Sequence, residues 1–220
     1  HKEYRRQRQM CIRDRYGIHW IEPLEGSGQW FWGTDYSSGD LYEAENLFKK
    51  GYSVEPNRLV FVHYPEGEVI EPVLAEPGQY FEKPIYDNGR FIMLLVDFPL
   101  AKINIIAYKP ETKKISSLVT LPLAVAENCR NLALRLSPLM LVRQSDDKFQ
   151  ILWPENKSFP IGSTEGFYFR KEEKLYFSAW YEDPDYRVEI IIRDFDTGEV
   201  IKKMPGSIRL MPDGQQWLLL

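Results

Sequence analysis

The chain has 220 residues, with 28 lysines and arginines against 32 aspartates and glutamates and a formal charge of −4. Its surplus of acids repels phosphate backbones and argues against nucleic acid as the main partner. It has two cysteines, and Cys11 lies in a segment set aside below, which excludes an internal disulfide and a cysteine-based zinc site.

The first fifteen residues do not read like the rest. "MCIRDR" at 10–15 looks like an in-frame translation of a sequencing adapter, and "EYRRQRQ" before it is a bare basic run. Residues 1–15 are therefore expected to be an artefactual or disordered tail. They hold six bases and two acids, so residues 16–220 carry −8 of the total of −4. No secretory signal is legible, and the longest apolar runs, such as "FIMLLV" at 91–96, are too short to span a bilayer. The expectation is a soluble cytoplasmic domain, 16–220, with one large core, no cofactor and no membrane partner.

Beyond the tail, His19 and His63 are the remaining histidines, and "GSG" at 26–28 precedes no helix, so it is no phosphate cradle. In "GQWFWG" (28–33) strand alternation places Trp30 and Trp32 on one face and Phe31 on the other. Both tryptophans fit a core, and both fit ligand stacking if a channel mouth exposes them. "SSGDLYEAENLFKKG" (37–51) predicts the one helix: Asp40 as N-cap, Glu43 completing a capping box, an apolar stripe of Leu41, Ala44, Leu47 and Phe48, and Gly51 as a stop. That insert is read either as a lid on a sheet edge or as a docking element for a partner.

The rest is strands in a repeating order. "RLVFVHY" (58–64), "KINIIAY" (102–108), "FQILW" (149–153) and "RVEIIIRDF" (187–195) are each followed by a polar tetrad and a second short strand. The turn positions Pro65, Pro110, Pro154 and Phe195 are 45, 44 and 41 residues apart. Proline, aspartate, glycine and asparagine between β-rich runs write a hairpin by their backbone preferences. Upstream of three of these strands lies a further strand–turn–strand, so each unit of about 43 residues holds four strands in sequence, the period of a propeller blade. Units fall at about 16–74, 80–121, 131–161 and 165–204, with a partial one at 207–220 that could complete a fifth. A sandwich would expose one face of each strand, but "FIMLLV" and "EIII" are apolar on both. In period and strand order, residues 16–220 resemble bacterial β-propeller repeat proteins. The resemblance implies an all-β array of about four and a half four-stranded antiparallel blades. It carries no function, because neither a WD dipeptide nor a Kelch glycine pair is present.

Loops alternate sides along a blade. Those between second and third strands are longer and more varied than the recurring turns, and binding residues collect on such loops. They carry Asp35, Asp97 and Asp147, and "WYEDPDYR" (180–187) adds Trp180, Glu182, Asp183 and Asp185. Acids beside aromatics suit a cation, a sugar or a basic peptide, although the spacing lacks the glycine and distal glutamate of a calcium loop. There is no nucleophile elbow and no HExxH. The reading is a non-catalytic binding module for a protein, peptide or carbohydrate, using the loop face that bears the helix. Its candidate residues are Trp30, Trp32, Asp35, Asp97, Trp180, Glu182, Asp183 and Asp185, with no metal. The alternative is a carbohydrate-active hydrolase or lyase with Asp97 and Glu182 or Asp183 as rim carboxylates. A third reading is a terminal piece of a larger repeat protein.

Overall fold

The computed structural model describes residues 16–211 and 215–220; residues 1–15, with Cys11 and the expected tail, and residues 212–214 lie outside them. Two compact units divide between Glu127 and Asn128.

In the first unit, β1 (Glu22–Pro23), β2 (Trp30–Thr34), β3 (Leu59–His63) and β4 (Val69–Ile70) form one antiparallel sheet in chain order. The second sheet comprises β5 (Gln79–Phe81), β6 (Ile85–Asp87), β7 (Arg90–Asp97), β8 (Lys102–Lys109) and β9 (Lys114–Pro122). Its first strand is split: β5 pairs with Leu95–Asp97 and β6 with Arg90–Ile92, both on β7. The break falls at Glu82–Lys83–Pro84, where proline has no N–H to give the ladder. In the second unit, β10 (Leu132–Arg135), β11 (Met140–Gln144), β12 (Lys148–Trp153) and β13 (Lys157–Pro160) form a third sheet. A fourth contains β14 (Glu165–Lys171), β15 (Lys174–Tyr181), β16 (Arg187–Asp194) and β17 (Val200–Pro205), and a hairpin, β18 (Ser207–Leu210) and β19 (Gln216–Leu219), follows. The chain is thus all-β, with four blades of β-propeller type and a further half, as the period implies.

Burial explains the sequence pattern. Strand β7 is buried at every position from Phe91 to Asp97, so both faces are covered and alternation disappears. The outer strands β9 and β17 are mostly exposed and carry the lysines, which blunts their free edges. The first unit's core gathers Trp30, Trp32, Phe61, Phe81, Phe91 and Met93 among others. Phe61 and Phe91 stack at 3.9 Å between centroids with planes 6° apart, joining the first two sheets. The second unit's core gathers around Phe149, which stacks on Phe167 at 4.5 Å and meets Phe177 edge-on at 5.3 Å.

The helix, α1 (Leu41–Lys49), lies between the second and third strands of the first blade. Its capping box is complete: the Glu43 N–H donates to Asp40 Oδ1 at 2.7 Å and the Asp40 N–H donates to Glu43 Oε2 at 2.9 Å. Leu41 and Ala44 are buried, while Phe48 is 39% exposed and stacks on Phe98 at 5.6 Å.

Candidate functional site

On the loops between second and third strands, the residues singled out from sequence are held in structural roles or lie in solvent. Asp97 is buried, and both its oxygens are engaged: Oδ2 accepts from Gln79 Nε2 at 2.8 Å and Oδ1 from the Leu100 N–H at 2.9 Å. It caps the turn into β8. Asp35 accepts the Arg58 N–H at 3.0 Å, and Asp147 accepts the Ser145 hydroxyl at 3.0 Å. In the second unit Glu182, Asp183 and Asp185 are exposed on a tip stiffened by Arg187, which donates to the Asp183 carbonyl at 2.6 Å and lies 4.5 Å over the Tyr181 ring. Trp180 and Tyr186 are exposed beside them. Among the described residues no group of three or more His, Cys, Asp or Glu side chains could hold a metal ion.

Trp30 and Trp32 share a face, as alternation requires, and that face is the core: they are 8% and 4% exposed. Yet each also lines a cavity of the first unit, on opposite ends of the blade.

The larger cavity, about 590 Å³, is a groove between the two recurring turns of that unit, the one leading from β3 to β4 and the one from β8 to β9. Its aromatic walls are Trp30, His63, Tyr86 and Tyr108. Trp30 is clamped between His63 at 4.6 Å and the edge of Phe91 at 4.8 Å, and Phe91 also stacks on Tyr108 at 5.9 Å. His63 is held in turn by Glu66, whose Oε2 lies 2.6 Å from Nδ1, and the turn is closed by the His63 N–H donating to the Glu68 carbonyl at 2.9 Å. Packing and the closed turn thus hold the Trp30 and His63 side of the groove.

Its rim is acidic. Glu68, Glu71 and Glu111 line it, with Lys113 the one lysine among the lining residues. Glu71 is neutralised by Arg58, which donates through Nε at 2.8 Å and Nη2 at 2.6 Å. Glu68 and Glu111 are exposed and, among the described residues, engage no cation. The Tyr86 phenol is pushed up by burial and then by the negative charge of Glu111.

The smaller cavity, about 30 Å³, lies at the end of the blade that carries the helix and is lined by Trp32, Tyr36, Asn57, Tyr80 and Glu82 among others. It has room for a water molecule or two. Trp32 Nε1 is buried there without an acceptor among the described residues, and burial pushes the Glu82 carboxyl up.

No protein-family model matches the chain, and no curated protein sequence does. Solved structures do resemble it. An acylaminoacyl peptidase in complex with Z-Gly-Gly-Phe-chloromethyl ketone is 12% identical with a TM-score of 0.47, covering 90% of this chain and 35% of its own. The Pyrococcus horikoshii acylaminoacyl peptidase is also 12% identical, with a TM-score of 0.46, covering 88% and 34%. A GH43 β1,3-galactosidase with galactodeoxynojirimycin is 13% identical with a TM-score of 0.41, covering 90% and 85%. The chain spans about a third of the length of those peptidases, and at these identities and scores none of the three bears on what it binds. Among the described residues no helix is long and apolar enough to cross a membrane.

Proposed function

We propose that the chain is a non-catalytic binding module that receives its ligand in the groove between the recurring turns of the first unit. The observation that carries this reading is the groove itself: about 590 Å³ with walls of Trp30, His63, Tyr86 and Tyr108 and a few charged groups at the rim. That size and mixture are typical of sites for small ligands or inserted side chains, which are commonly about 300–1,000 Å³. Hydrolysis by Asp97 with Glu182 or Asp183 finds less support, because the Asp97 oxygens are already spent on Gln79 and Leu100, and a general acid or base needs a free oxygen within reach of the substrate.

A second reading keeps the helix-bearing face as a docking surface for a protein. It is favoured by Tyr42, Phe48, Tyr52 and Leu100, which are 37%, 39%, 63% and 63% exposed, since exposed aromatics are enriched at interfaces.

A thermal-shift panel of oligosaccharides, short peptides and divalent ions tests the groove. Binding at tenfold over Kd stabilises by about 1.4 kcal/mol, which is about 3–6 °C in a chain of this size. One class should give a saturable shift that Tyr86→Leu abolishes. A shift that Tyr86→Leu leaves intact, or no shift from any class, would overturn this reading.

A further inference from the structure

We propose that the groove selects an organic cation, a guanidinium or primary ammonium group, seated against Tyr86 and between Glu68 and Glu111. This rests on the groove being the binding site. The argument begins with which charges are already satisfied. Arg58 accounts for Glu71, and the lining residue His63 is paired with Glu66, which is not itself part of the lining. That leaves Glu68 and Glu111 facing Lys113 alone, within a domain that carries −8 beyond residue 15. An anion would meet net repulsion there, and a neutral ligand would leave the two carboxylates with water alone.

Aromatic walls add to this. A cation within about 6 Å of a ring centroid is attracted to the ring's electron-rich face, and burial strengthens the effect. Tyr86 and His63 are the half-buried rings of the set, and His63 is already held by Glu66, whereas Trp30 and Tyr108 are 8% and 7% exposed. A sugar would want a broad open platform, which these two rings do not present. The negative charge of Glu111 reaches the Tyr86 hydroxyl, so carboxylate and ring act on the same small volume.

The protein already builds such a seat for one of its own side chains. Arg58 lies on the Glu71 carboxylate and 5.0 Å over the Tyr16 ring. The groove offers a carboxylate and a ring with no internal guanidinium on them. Free amines and basic side chains of a peptide share this chemistry, so the test separates them.

Titration calorimetry should use arginine amide and agmatine as free cations, a short arginine-containing peptide, its citrulline counterpart and an oligosaccharide. The arginine peptide should bind at least about tenfold more tightly than the citrulline peptide, the loss expected when a charged group loses its ring and carboxylate partners. The double variant Glu68→Gln, Glu111→Gln should weaken it by about tenfold, and Lys113→Ala should strengthen it, because the competing positive charge is gone. Comparable binding of the free cations marks them as ligands; selective binding of the peptide marks a protein partner. Equal binding of arginine and citrulline peptides, or weakening by Lys113→Ala, overturns the inference. Oligosaccharide binding that Tyr86→Leu abolishes would overturn it while leaving the groove as the binding site. Binding by none of the probes, or binding that no groove variant alters, would overturn both.

Discussion

Asn57 satisfies both backbone groups of Phe81: its Nδ2 donates to the Phe81 carbonyl at 2.9 Å, and its Oδ1 accepts the Phe81 N–H at 2.7 Å. One side chain thereby joins the first sheet to the first strand of the second. The other unit repeats the device, with Gln144 Nε2 donating to the Glu165 carbonyl at 2.6 Å and Oε1 accepting the Phe167 N–H at 3.0 Å. Asn57 is 3% exposed, so Asn57→Ala strands a buried donor and acceptor at a cost of about 2–4 kcal/mol. Gln144 is only half-buried, and Gln144→Ala should cost less, about 1–2 kcal/mol. Urea unfolding of the two variants checks the order.

Glu165 and Arg193 form a buried bidentate pair at 2.8 and 3.0 Å, with side chains 7% and 10% exposed. Glu165 also accepts the Gly162 N–H, and Arg193 donates to the Gly198 carbonyl. Removing one partner leaves an uncompensated buried charge, so Arg193→Met alone should cost about 3–5 kcal/mol. The double variant Glu165→Gln, Arg193→Met should cost less than the sum of the single changes. A double-mutant cycle by denaturant unfolding measures the coupling, and additive costs would show that the pair is not coupled.

Glu82 predicts a pH effect of definite sign. Burial raises its carboxyl in the folded chain, with Lys83 opposing. The folded state then holds the proton to higher pH than the unfolded chain does. Stability therefore falls as pH rises from the ordinary glutamate range through the raised folded value, and the loss is complete above it. Glu82→Gln lacks this loss. Relative to the native protein, the variant should gain stability as pH rises from the ordinary glutamate range through the raised folded value; a difference that stays flat or shrinks over that rise contradicts the assignment.

The hairpin turn Asp194–Gly198 is closed by its own side chain. Asp194 Oδ1 accepts the N–H groups of Asp196 and Thr197 at 3.0 and 2.8 Å, and these bonds hold its carboxyl below the usual range. Gly198 has φ +74, and a Cβ there would lie 2.5 Å from the Phe159 ring. Gly89 has φ +75 with nothing within 4 Å. Gly89→Ala should cost about 1–2 kcal/mol from backbone strain alone, and Gly198→Ala about 2–4 kcal/mol, since Phe159 must also move. Thermal melts of the two variants separate strain from crowding.

The scaffold was legible because its determinants are local. Turn residues, the Asp40–Glu43 box and the 41–45-residue period all act over a few positions. What stayed hidden depends on contacts between distant positions. Asn57 and Phe81 are separated by 24 residues, and Glu165 and Arg193 by 28; in sequence Asn57 is one more polar loop residue. Asp97 has the look of a rim acid because it follows an apolar strand, but its position at the start of a tight turn is equally that of a cap. Alternation correctly placed Trp30 and Trp32 on one face, and only packing tells that this face is the core. The groove was missed for a physical reason: recurrence of the turns around Pro65 and Pro110 marks scaffold geometry, yet two scaffold turns side by side enclose space. Its walls come from residues 30, 63, 86 and 108, and no local pattern links them.

The proposed function places binding at the groove and not at the β15–β16 tip beside Trp180. Fluorine NMR of protein labelled with 5-fluorotryptophan reads both sites at once, with resonances assigned by Trp30→Phe and Trp180→Phe. Trp30 lines the groove, and Trp180 is 48% exposed near the end of β15. On titration with the arginine peptide, the Trp30 resonance should shift saturably while the Trp180 resonance stays in place. A shift of Trp180 with Trp30 unmoved, or no movement of either at saturating ligand, would contradict the account.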